Sequence, residues 1–155
     1  MPYQKIPKAL RPLYLKGLSS SRYLKQGQHL DLISNYTNSS YHFNNVSKLE
    51  IIFKQHSSYG HLGMKKFWKN NLKTIYYHNP SLIIDVKRID CQEREQQLNC
   101  PCIIKTITKD SKEIIINGKD KHSDDIMKEL VEKTAAVAVP SEDIISYSSL
   151  IEERR

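Results

Sequence analysis

Two apolar periods follow one another between residues 48 and 89, and their order limits the fold more than any other feature of the chain. Leu49, Ile51 and Phe53 alternate with Lys48, Glu50 and Lys54, the period of a strand with one buried face. After the link His56-Ser57-Ser58-Tyr59-Gly60, the residues Met64, Phe67, Trp68, Leu72, Ile75 and Tyr76 recur at spacings of 3, 1, 4, 3 and 1. That spacing puts them on one helical face. Asn79-Pro80 ends the helix, because the residue before a proline is driven out of the helical region. Leu82 to Ile89 then reads as a second strand, almost continuously apolar before Asp85, as an interior strand covered on both faces would be. Strand, helix and strand in such close succession make a βαβ unit, with a right-handed crossover and parallel strands.

The remainder supplies a second half. Residues 90–99 are charged, lack a period and are expected to be a loop. Cys102–Thr108 and Glu113–Ile116 are β-branched runs joined by Lys109-Asp110-Ser111-Lys112, a hairpin, and Asn117-Gly118 closes the second run. A last helix is expected from Ser123 as N-cap, with Asp124 and Asp125 complementing its dipole and Ile126, Met127, Leu130, Val131 and Thr134 on its buried face. Pro140 breaks the chain beyond that helix. The order β-α-β then β-β-α predicts an α/β chain in which one helix from each half covers a four-stranded mixed sheet, the minimal thioredoxin-like layout. This domain is expected over residues 47–137, between a basic N-terminal extension (1–46) and a short, polar C-terminal tail (138–155). In the extension, Ser19–Ser21 and Asn35–Ser40 read as loops.

Charge is the next constraint. Residues 1–88 hold 14 Lys and Arg against three acids, Asp31, Glu50 and Asp85, whereas residues 89–155 hold 10 against 14. The halves therefore carry +11 and −4 of the total of +7. Mixed charge would serve solubility better, so the positive half points to a polyanion, nucleic acid first. Lys5, Lys8, Arg11, Lys16, Arg22 and Lys25 occur before the first acid, with Ser19, Ser20 and Ser21 among them. That is the composition of a mitochondrial targeting segment, although Pro2, Pro7 and Pro12 break any helix across its start. Tyr3, Tyr14, Tyr23, Tyr36 and Tyr41 lie among these cations, where rings can stack on bases or anchor the extension to the domain. No run of 18 apolar residues exists, so no membrane partner is expected.

The residues for catalysis are missing from the places where this fold would need them. A thioredoxin-like dithiol sits at the start of the first helix, where amides and the helix dipole lower its pKa. Here that position reads His56-Ser57-Ser58-Tyr59-Gly60-His61, without cysteine. Cys91, Cys100 and Cys102 with His122 would make four zinc ligands, but Cys-x-Cys is not the usual knuckle spacing. Two buried thiols flanking Pro101, with Cys91 in a loop, is the reading preferred. No Gly-x-Ser-x-Gly elbow surrounds Ser57 or Ser58, and no phosphate-cradling glycine loop occurs. The His and Ser link beside a helix N-terminus could meet an anion through its amides. We expect no enzyme, no catalytic residue, no metal, no cofactor and no small-molecule substrate.

Lys65, Lys69 and Lys73 are spaced i, i+4, i+8, and Lys66 lies beside them. Stacked like charges cost an isolated helix a few tenths of a kcal/mol per pair. A helix that accepts this gains from an anion outside, so Lys65, Lys66, Lys69 and Lys73 join the six N-terminal cations as the expected RNA-binding residues.

One further pattern crosses these segments. His61-Leu62-Gly63-Met64, Phe67-Trp68, Asn71-Leu72, Thr74, Asn79-Pro80 and Ile84-Asp85-Val86-Lys87-Arg88-Ile89, followed by Asp125-Ile126-Met127-Lys128, resemble the thioredoxin-like family shared by mitochondrial ribosomal proteins and a small accessory subunit of respiratory complex I. Within it the pattern is most similar to a yeast-type member of the large ribosomal subunit, over roughly residues 48–140. The resemblance implies a structural constituent of the mitochondrial ribosome, bound in the matrix to mitochondrial rRNA and neighbouring ribosomal proteins and supporting translation. A small-subunit protein and the complex I subunit are the alternatives. Residues 1–45 and the Cys100-Pro101-Cys102 triplet depart from the family pattern, which argues against a shared metal site.

Overall fold

The computed structural model describes residues 21–36, 39–147 and 150, the side chains of 21–25 excepted. At its centre is β2 (Val46–Lys54), which pairs with β3 (Ile83–Ile89) in parallel and with β4 (Ile103–Thr108) antiparallel. β5 (Glu113–Asn117) runs antiparallel to β4 at the far edge, giving the order β3-β2-β4-β5. The four-stranded mixed sheet expected from the sequence is present, and β4 alone runs against the other three.

The connection from β2 to β3 is one helical rod in three pieces, α2 (Leu62–Lys66), a π turn (Phe67–Asn71) and α3 (Leu72–His78). A π turn closes on i→i+5 and so adds a residue to the winding. The buried stripe rotates accordingly: Met64, Phe67, Asn71, Leu72, Thr74 and Ile75 are buried, while Tyr76, expected on that face, is 56% exposed. The helix α5 (Ser123–Thr134) packs beside α2 and the π turn, on the same side of the sheet. Ile126, Met127 and Leu130 meet Met64 and Phe67 over Leu49, Ile51, Phe53, Ile104 and Ile116 in one core. Arg94–Asn99, within the expected loop, is a short helix, α4, with no buried residue. Its six residues contain no apolar period to reveal it. The α5 N-cap is His122 rather than Ser123, its ring accepting from the Asp124 N–H at 3.5 Å.

The expectation that β3 is an interior strand is overturned. It lies at the sheet edge, and Ile83 is 62% exposed. Its apolar run misled because Leu82 belongs to the preceding turn, where its N–H donates to the Asn79 carbonyl at 3.1 Å. From Ile83 on the strand alternates, Ile84 and Val86 packing on the core. The face away from the helices carries ion pairs instead. Lys87 holds Glu50, Lys48 lies 3.9 Å from Asp85, and Lys105 lies 2.9 Å from Glu113.

Before the sheet, α1 (Ser21–Ser34) packs on α3. No helix is expected in the extension, yet Ser21, read as part of a loop, opens α1, and Gly27, buried in its middle, is a poor helix former. Packing rather than propensity holds this helix. β1 (Tyr41–His42) pairs with β6 (Val137–Ala138) as a separate antiparallel ribbon. The chain after Pro140 returns to α1, where the Ile145 carbonyl accepts from Ser34 Oγ at 3.4 Å, and to α3, where Tyr77 and Tyr147 join their hydroxyls at 2.7 Å.

Candidate nucleic-acid interface

The lysines of the rod from α2 to α3 divide into two groups. Lys65 and Lys66 end α2, Lys69 stands in the π turn and Lys73 in the first turn of α3. Lys66, Lys69 and Lys73 are exposed and Lys65 is half-buried. Among the described residues none of the four has a carboxylate within ion-pair distance. The acids nearest in sequence are committed elsewhere, Glu50 to Lys87 and Asp85 to Lys48. Four positive charges therefore stand on one helical rod without a counter-ion among the described residues.

Lys69 and Lys73 share a groove of about 610 Å³ with Trp68, Leu72, Tyr76 and Ile84; Lys65 and Lys66 do not line it. The rod provides five of these six residues and β3, an edge strand among the described residues, the sixth. Trp68 is fixed from behind, its ring 5.8 Å from that of Phe53. The Arg88 guanidinium stands 4.7 Å from the Trp68 ring centre, a cation–π contact that brings a further charge to this end. Neither the ring pair nor Arg88 stood out in the sequence as part of a binding surface. The spacing of Trp68, Leu72 and Tyr76, four apart and flanked by Lys69 and Lys73, was the available signal.

Lys5, Lys8, Arg11 and Lys16 are outside the described residues, and Arg22 and Lys25 fall on α1 with undescribed side chains. The His and Ser link does not form an open anion site. His61 is buried, its Nδ1 accepts the Lys54 N–H at 3.3 Å, and burial pushes its pKa down. Gly60, at φ +84°, lies against Asp120, so a carboxylate occupies the approach to the link. Lys54, expected on the polar face of β2, is 1% exposed, with its ammonium 4.5 Å from the Tyr59 ring centre and donating to the Gln97 carbonyl at 3.4 Å.

Cys91, Cys100 and Cys102 are free and buried. Burial pushes the Cys100 thiol up to about 11 and the Cys102 thiol up to about 12, the opposite of what a nucleophile needs. His122 caps α5 rather than turning to these thiols. Among the described residues no helix is long and apolar enough to cross a membrane.

Comparison with known proteins bears on this geometry directly. Residues 64–136 match the model of the mitochondrial ribosomal protein L51 / S25 / CI-B8 domain, a span that contains the whole groove. The large ribosomal subunit protein mL61 of Saccharomyces cerevisiae is 32% identical over 100 residues, covering 64% of this chain and 72% of the yeast protein. The chain belongs to the mitochondrial ribosomal protein L51/S25/CI-B8 family. A second relative, large ribosomal subunit protein mL61 of Neurospora crassa, is 25% identical over 122 residues, 61% of this chain and 58% of that protein. Family membership brings a structural, ribosomal role and a mitochondrial setting, in agreement with the resemblance drawn from Phe67-Trp68, Asn79-Pro80 and the last helix. The fold, a sheet covered by two helices with its thiols buried and protonated, suits a scaffold.

Proposed function

We propose that this chain is a structural constituent of the large subunit of the mitochondrial ribosome, located in the matrix and binding rRNA through the helix face of Lys65, Lys66, Lys69 and Lys73. The observation that carries the reading is that these four ammonium groups share one rod and have no carboxylate partner among the described residues. Unpaired cations in a row are an electrostatic footprint for phosphate, and their neutralisation releases counter-ions from RNA. Lys5, Lys8, Arg11, Lys16, Arg22 and Lys25 add further cations for the same rRNA. Neighbouring ribosomal proteins take the uncovered sheet face, where Ile83 and Ile115 are 62% and 52% exposed. Residues 47–137 form the folding unit, with 1–46 and 138–155 as its extensions. The chain performs no reaction; it supports translation by holding its neighbours in place.

A sucrose gradient of mitochondrial lysate tests the assembly. The chain should sediment with the large subunit and be released by ribonuclease; sedimentation with the small subunit or with respiratory complex I would overturn it. The RNA contact has its own measurement. Four phosphate contacts correspond to a log–log salt slope of about −3 to −4, and replacing the four lysines with Gln should remove that part of the slope. An unchanged slope would sink the assignment.

A further inference from the structure

We infer that the groove between the helical rod and β3 receives an unpaired RNA base, with the adjoining phosphates on Lys69 and Lys73. The inference rests on the phosphate reading of the helix face and adds what that reading leaves open, the form of RNA that is recognised. The groove volume of about 610 Å³ lies within the range of clefts that hold small ligands. Leu72 and Ile84 supply aliphatic area, Trp68 and Tyr76 supply rings, and Lys69 and Lys73 supply charge. This is the combination that single-stranded nucleic acid requires, since rings stack on any base while cations follow the backbone. Tyr76 is 56% exposed and Trp68 is half-buried, so apolar ring surface faces water at a place already rich in cations.

Other occupants fit less well. Among the described residues no carboxylate lines the groove, and Arg88 adds a third cation at Trp68, so an anionic chain is favoured. A peptide adding a strand to the open edge of β3 would engage the backbone from Ile83 to Ile89, yet β3 contributes only Ile84 to the lining. Residues 1–20 carry Lys5, Lys8, Arg11 and Lys16 with no acid, the same sign as the groove. Double-stranded RNA keeps its bases stacked inside and offers side chains only a shallow groove of sugars. A loop, a bulge or a single strand is left.

The chain contains a single tryptophan, Trp68, so its fluorescence reports on this groove alone. The full-length protein is titrated with an unstructured ten-nucleotide RNA of mixed sequence, and with the duplex made by annealing that RNA to its complement. The single strand should quench Trp68, while the duplex should bind through the lysines without quenching. Tyr76→Leu keeps the groove apolar at an exposed position and removes one ring. It should weaken the single strand about tenfold, the equivalent of one lost base stack, and leave the duplex unchanged. Binding of both RNAs with no quenching and no effect of Tyr76→Leu overturns the groove assignment while the phosphate reading stands. Binding of neither RNA, or binding indifferent to Lys→Gln replacement at 65, 66, 69 and 73, overturns both. Tighter quenching by an acidic, leucine-rich peptide than by the RNA overturns the base in favour of a protein occupant.

Discussion

Asn79 fastens the end of α3 to the segment that enters β2 by accepting the Phe43 N–H on its Oδ1 at 2.9 Å. Its amide nitrogen donates to the Tyr41 and Ile75 carbonyls, both at 2.8 Å, so one buried side chain joins β1, α3 and the turn into β2. The Asn-Pro stop is thus a junction as well as a terminator. Replacing Asn79 with Ala leaves the buried Phe43 N–H without an acceptor and takes a donor from the Tyr41 carbonyl, while the Ile75 carbonyl keeps the residue 79 N–H at 3.0 Å. The expected loss is about 2–3 kcal/mol in urea unfolding. Asn79→Asp keeps the acceptor but removes both donors and brings a charge into a buried position, so it should be no milder at neutral pH. A midpoint unchanged in Asn79→Ala would mean that the junction contributes nothing.

The pairing of Glu50 with Lys87 makes a prediction in pH. The hydrogen bond from Lys87, with the charges of Lys87, Lys48 and Lys105, holds the Glu50 carboxyl below its ordinary 4.5, and the bond to Glu50 holds Lys87 above its ordinary 10.5. A depressed carboxylate adds stability that is present above 4.5 and is lost as pH falls through the folded value. A raised lysine adds stability that is present below 10.5 and is lost as pH rises through its folded value. Unfolding measured from pH 3 to pH 11 should therefore weaken at both ends, and Glu50→Gln should flatten both limbs. A wild-type acid limb surviving intact in Glu50→Gln would assign it to other carboxylates, Glu129 first, whose pKa is lowered by Lys121 and Lys133.

What the sequence carried and what it hid divide along the same physical line. The alternation of Leu49, Ile51 and Phe53 and the recurrence of Ile126, Met127 and Leu130 were legible because burial on one face of a regular element imposes a period. The edge position of β3 was not, since a strand's neighbours are set by tertiary pairing, and one apolar residue of a turn, Leu82, mimicked a run buried on both faces. The π turn was equally hidden. It moves Tyr76 out and Asn71 in, where Nδ2 donates to Ser39 Oγ at 2.6 Å. For the interface, the lysine spacing was readable, but the rings that turn it into a groove became visible only once Ile84 was known to lie beside them.

The thiols should be inert in the native state. Cys100 and Cys102, pushed up to about 11 and about 12 chiefly by burial, hold almost no thiolate at pH 8. Ellman's reagent should label them at least about tenfold more slowly than an exposed thiol. In denaturant all three cysteines should react at once. Rapid labelling of Cys100 or Cys102 in the folded chain would refute the burial account, and with it the contrast to a thioredoxin-type dithiol.

Two glycines should respond in opposite degree to the same substitution. Gly63 lies in α2, where alanine ordinarily stabilises a helix by up to about 1 kcal/mol. Here a Cβ would meet the Lys121 carbonyl oxygen at 1.8 Å and its carbon at 3.0 Å, backbone atoms that cannot turn aside. The approach is close because α2 packs against the segment leading into α5. Gly63→Ala should thus destabilise by about 3 kcal/mol or more, reversing the usual sign. At Gly118 the Cβ would meet Met64 Cε at 2.4 Å and Ile126 Cδ1 at 3.3 Å, both the ends of side chains that can swing. Gly118→Ala should cost about 1 kcal/mol, and pairing it with Met64→Leu, which removes the offending methyl, should recover part of that. Thermal unfolding of the three variants separates the cases. Equal losses at the two glycines would mean that the 118–122 segment yields as easily as a methionine tip, contrary to the packing of α2 on it.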